Sequence, residues 1–207
     1  MTVFYHVTLT PEQEVADVTS TASGYGWVIF DSETVAATYL FDVDGFDFTF
    51  ALSGPPPTLP TGTAPAGSAT RTHFHAQARD VNGRIVFGQL DPYDDMDDLA
   101  VVHNADNSWS VSGSWESTDA RPITATFPGA LAPLGTFAGV LGSATPGSDV
   151  PLYWNVHTPE HSSGEIRGQL VAIANDIDDI HTGTTANNVI NGAAAMTPSW
   201  ASLEMTL

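Results

Sequence analysis

An antiparallel all-β sandwich or barrel is the fold class this sequence predicts, and three observations lead to it. Short runs rich in Val, Ile, Thr, Phe, Tyr and Trp recur along the 207 residues. Gly, Pro, Asn and Asp separate these runs, and several alternate apolar with polar side chains, the period of a strand. Stretches with helical spacing are few.

Taken in order, VFYHVTL (residues 3–9) opens the series, followed by GWVIF (26–30), TYLFDV (38–43) and DFTFAL (47–52). Residues 54–68, GPPPTLPTGTAPAGS, hold too much proline and glycine for a strand and predict a long surface loop. The strands resume at 70–78, 84–90, 109–116, 152–157 and 165–173. A short helix has room within 130–140, against the breaking tendency of Pro133, Gly135 and Gly139. Trp27, Trp109, Trp115 and Trp154 fall in strand patterns and are expected to pack; Trp200 falls in none.

The chain is long enough for one domain, placed at residues 1–174, and 42% hydrophobic residues suffice for its core. Residues 175–207 lack basic side chains and clear strand pattern and are expected to form an acidic tail. Twenty-four acidic residues stand against five arginines, a net charge of -19 that argues against nucleic-acid binding and against docking on anionic lipid. Such a surface suits high salt, as in an extracellular, marine or halophilic setting. No run approaches the length of a membrane span, and MTVFYHVTLT lacks the regions of a secretory signal, so export would use another route or follow removal of a signal. Without cysteine there are no disulfides, thiolate ligands or cysteine nucleophiles, and any metal site must be nitrogen and oxygen. No G-x-S-x-G elbow marks a hydrolase.

The chemistry-bearing feature is a double pair of histidines. His73 and His75 alternate with Thr72, Phe74 and Ala76, so a half-buried strand sends both imidazoles from one face. His157 ends the pattern of 152–157, and Pro159 with Ser162, Ser163 and Gly164 puts His161 in a turn from which it can fold back. Together the four would make an imidazole site for copper, zinc, iron or nickel. His6, His103 and His181 lack such company, although His103 lies near Asp106 and the 94–98 acidic cluster in sequence. In that cluster Asp94, Asp95, Asp97 and Asp98 are candidate calcium ligands. GRIVFGQL (83–90) and GEIRGQL (164–170), each after a histidine pair, form a faint internal echo that would put the pairs on equivalent hairpins.

The chain resembles the CHRD domain in three places: LTPEQEVADVTSTASGYGWVIFD (9–31), THFHAQA (72–78) and WNVHTPEHSSGEIRGQL (154–170). The resemblance spans most of residues 3–173 and implies a β-sandwich, with only a loose account of function. A more distant likeness is to Cu/Zn superoxide dismutase, an antiparallel Greek-key sandwich. It implies His73, His75, His157 and His161 as copper ligands and Arg167 as the catalytic arginine that attracts the anion. The zinc-site spacing is not visible and the disulfide is impossible here, so a copper-only or mononuclear site is implied. Residues 183–195, GTTANNVINGAAA, resemble one degenerate calcium-binding RTX repeat, which suggests type I export.

Two function classes follow. The first is an extracellular metal-binding protein with a four-histidine copper site, zinc the alternative, able to act on superoxide. The second is a non-enzymatic adhesion or partner-binding module with structural zinc or calcium.

Overall fold

The computed structural model describes residues 1–56, 60–121 and 130–175, together with the backbone of 180–181 and 190–191. Its main body is one antiparallel sheet of nine strands: β1 (Thr2–Leu9), β2 (Ser23–Asp31), β3 (Ala36–Asp44), β4 (Arg71–Ala76), β5 (Arg84–Leu90), β6 (Ala100–His103), β7 (Trp109–Trp115), β8 (Asp149–His157) and β9 (Ile166–Asn175). The spatial order is β5-β4-β8-β9-β1-β2-β3-β7-β6. Residues 180–181 and 190–191 pair as β10 and β11.

The sheet curls until its two halves face each other, giving the sandwich-like all-β fold the alternation predicted. Aromatic side chains mark the closure. Phe41 of β3 stacks on Trp154 of β8 at 4.1 Å, and Phe87 of β5 on Trp115 of β7 at 5.0 Å. Val3, Tyr5, Val7 and Leu9 fill the same core from β1, the inward face of its period-2 pattern. Connections β3 to β4, β5 to β6 and β7 to β8 each cross between the halves, so sequence-distant strands become neighbours.

Two readings need correction. Residues 47–52 do not form a strand: the Asp47 carboxylate accepts the Thr49 amide at 2.8 Å and Thr49–Leu52 turns into a short helix, α1. A local side-chain acceptor here outcompetes the ladder. The strand β6 has no counterpart among the expectations, because this four-residue edge strand is mostly exposed and carries no apolar alternation. The tryptophans pack as expected: Trp27, 43% exposed, tilts against His6 across β1 and β2, and Trp109, Trp115 and Trp154 are core. The helix expected within 130–140 is a 3-10 turn at Leu134–Thr136 followed by α2 (Ala138–Gly142). The 54–68 loop is a loop wherever it is described; Trp200 and all of the RTX-like segment but residues 190–191 lie outside the described residues.

Candidate metal centre

The two histidine-bearing strands are direct neighbours. β4 and β8 pair antiparallel with Arg71 opposite His157, His73 opposite Asn155 and His75 opposite Tyr153. These six residues share the outer face of the sheet, while Thr72, Phe74, Trp154 and Val156 point into the core. The echo has a structural counterpart here. β4-β5 and β8-β9 are hairpins placed back to back, each with its histidine strand at the shared seam.

The outer face is not solvated. Segment 10–14 bridges to β9 through Thr10 and Arg167, which exchange backbone hydrogen bonds at 3.1 and 3.3 Å. The 77–83 turn and the 158–165 turn complete the cover. His73, His75 and His157 are therefore only 1%, 7% and 6% exposed, so a strand expected to be half-buried is buried on both faces.

One ring nitrogen from each of His73, His75 and His157 lies within 4.8 Å of the others. His73 Nδ1 and His75 Nε2 are 3.0 Å apart, and the His73 and His157 rings stand 4.6 Å apart. Backbone carbonyls orient two of the three. His75 Nδ1 donates to the Gly83 oxygen at 2.9 Å, and His157 Nδ1 to the Ser162 oxygen at 3.0 Å. A carbonyl only accepts, so each Nδ1 carries its proton and each Nε2 turns a lone pair inward. His157 Nε2 then faces Asn155 Oδ1 at 3.1 Å, two acceptors in contact. His73 Nε2 is buried without a hydrogen-bond partner.

Burial keeps these rings neutral. It is the largest cause that lowers all three pKa values, with His157 brought to about 4 and His73 well below the usual imidazole value. The neighbouring rings and Arg71 add to the depression of His73 and His157. His73 Nδ1 then donates to the His75 Nε2 lone pair at 3.0 Å, and once a tautomer shift moves that proton to Nε2 the three neutral imidazoles form a nitrogen donor set suited to a borderline transition metal.

The remaining candidates fall elsewhere. His161 does not join the group: it sits in the 158–165 turn, where its amide donates to Thr158 Oγ1 at 3.2 Å and its carbonyl accepts from Gly164 at 3.0 Å. His103 stacks on Trp109 at 4.5 Å on the other half of the sandwich, and His181 lies in β10, of whose side chains nothing is described.

Arg167 is next to the site but is not an open cationic group. It is 2% exposed, and its guanidinium donates to the Gln13 carbonyl at 2.6 Å, the Val81 carbonyl at 3.2 Å and Asn82 Oδ1 at 3.4 Å. It lies 4.3 Å over the Tyr153 ring, which itself stacks on His75 at 4.8 Å. Its ion-pair partner is Glu14 at 3.7 Å rather than the neighbouring Glu165, which accepts from Ser20 and Thr158. Arg167 thus ties the covering segments to the sheet.

Asn155, Tyr153 and Glu14 escaped the sequence reading. Asn155 and Tyr153 were within reach of it, since the period of a strand puts both on the face of His157. Glu14 stands in the EQEV run near the start of the CHRD-like pattern, where its neighbour Gln13 supplies the carbonyl for Arg167. Burial pushes the Glu14 carboxyl up to about 7, outweighing Arg167 and the Asn155 amide.

The CHRD domain family model matches residues 5–170 of the chain. No curated protein and no solved structure matches it.

Proposed function

The chain belongs to the CHRD family, and from that membership and the buried imidazole triad we propose that it is a metal-binding module which holds copper, or zinc in its absence, on His73, His75 and His157. The convergence of three neutral ring nitrogens within 4.8 Å carries the proposal. Ligands of one ion at metal to nitrogen distances of about 2.0–2.1 Å stand roughly 3.0–3.4 Å apart, which the 3.0 Å between His73 and His75 nearly meets. The Gly83 and Ser162 carbonyls act as the outer partners that fix ligand tautomers in metal sites. Asn155 takes the place expected of His161. Its Oδ1 lies at ligand-to-ligand distance from His157 Nε2, and a cation between the two acceptors relieves their repulsion.

Copper on imidazoles supplies one-electron chemistry, and this keeps superoxide turnover as a second reading. The observation in its favour is a donor set of three histidines whose fourth group, the neutral Asn155 amide, is a weak ligand that a small anion can displace. Arg167 would then act by holding the cover and polarising the Tyr153-His75 stack, not by attracting the anion. An extracellular setting is among those that the -19 charge suits.

Metal analysis of protein purified without an affinity tag tests the centre. Bound copper or zinc should approach one per chain and fall at least tenfold in His73→Ala, His75→Ala and His157→Ala, while His161→Ala and His103→Ala keep it. Equal stoichiometry in all five variants would refute the site. Copper-loaded protein that consumes superoxide no faster than zinc-loaded protein makes the centre structural or partner-binding rather than catalytic.

A further inference from the structure

A second constellation of hard donors lies on the other half of the sandwich. The 91–99 loop runs from β5 to β6 beside the end of β7, and one carboxylate oxygen from each of Asp95, Asp97 and Asp98 lies within 4.8 Å of the others. Asp97, Glu116 and Asp119 form a second triad to the same limit, so Asp97 belongs to both. Gly113 of β7 leaves room for the cluster, since a Cβ there would collide with Asp95 Oδ2, the Tyr39 hydroxyl and Asp98 Oδ1. Asp94 is not part of it. Arg121 clamps the Asp94 carboxylate at 2.8 and 2.7 Å, and the same carboxylate accepts the Gly88 amide.

Acidic clusters are common on a surface this acidic, but Asp95 sets this one apart. It is 1% exposed; Oδ2 accepts the Tyr39 hydroxyl, and Oδ1 is buried with no hydrogen-bond partner. A carboxylate oxygen orphaned beside other carboxylates is costly unless a proton or a cation answers it. Asp97 and Asp98 are exposed and give an ion a way in. All donors are carboxylate oxygens, the ligands of a hard cation. Calcium takes about 6–8 oxygens at about 2.3–2.6 Å in adaptable geometry, so oxygens within 4.8 Å of one another can share one ion. Magnesium demands a tighter octahedron and keeps its waters.

We propose that Asp95, Asp97 and Asp98 bind a calcium ion, with Glu116 and Asp119 closing the site on the side of Asp97. The ion would fasten the crossing loop to the end of β7. Burial and like charge raise the Asp95 carboxyl to about 7 and that of Asp119 to about 6, the protonation cost that a bound cation removes.

The test uses the full chain stripped of metal with a chelator and melted in 10 mM calcium chloride, in magnesium chloride, or in sodium chloride of matched ionic strength. Calcium should raise the melting temperature by roughly 5 °C over sodium, and by at least twice the magnesium effect. Asp97→Asn and Asp98→Asn, shown folded by circular dichroism, should lose the calcium increment, whereas the exposed Asp17→Asn and the imidazole variant His73→Ala keep it. An equal rise in sodium, or an increment that survives in both Asp97→Asn and Asp98→Asn, would reduce the effect to screening of the net charge and overturn the site.

Discussion

A buried imidazole and a buried carboxylate answer pH in opposite senses, and this protein holds both. The folded state depresses His73, His75 and His157, so their contribution to stability is complete above the usual value near 6.5 and is lost as pH falls toward about 4. Glu14 and Asp95 are raised to about 7, so their contribution is complete below their ordinary values and is lost as pH rises through about 7. The metal-free protein should therefore be most stable near pH 6–7. Asp95→Asn, in chelator, should be more stable than the parent by roughly 1–3 kcal/mol at pH 8, by less at pH 5, and nearly equal to it only below the ordinary carboxylate value of 3.8, measured by urea unfolding. Because the imidazoles are already neutral, bound copper should survive to about pH 5, below the point where solvated histidines release it. Asn155→Ala should weaken copper affinity roughly 10–100-fold by competition with a chelating dye, without loss of fold.

At the scale of elements, the GQL echo shows what a short motif can encode. Gly88 and Gly168 occupy the outer strands of the two back-to-back hairpins, and each sits where another backbone crosses. A Cβ on Gly168 would strike the Thr8 carbonyl oxygen, and one on Gly88 the Pro92 carbonyl oxygen. Gly168→Ala should cost about 1–3 kcal/mol in stability and loosen the segment that carries Glu14. Most strands were legible because their alternation is driven by one buried face. The burial of the second face was not, since the cover comes from segments 10–14, 77–83 and 158–165, which are polar loops in sequence and become walls only after the sheet has formed. His161 stands outside the imidazole group for a related reason. Its spacing from His157 is clear, but its place depends on Thr158 and Gly164 holding the turn. The H-x-H face was legible because a strand leaves period-2 side chains no choice.

For the whole molecule, the matched region ends at residue 170 and β9 at Asn175, which still pairs with Val3. A chain ending at Asn175 should keep its β circular dichroism and its cooperative melting; a loss of either would assign residues beyond it a part in the sandwich. The pairing of β4 with β8 has a consequence for time as well as for binding. Arg71 meets His157 only after the chain between them has crossed the sandwich and returned, a long loop closure of the kind that folds slowly. The three imidazoles cannot assemble in a partly folded chain, so added copper should leave the refolding rate almost unchanged and slow unfolding instead. An ion held there would work as a latch on a finished structure, and its measure would be the lifetime of the native state.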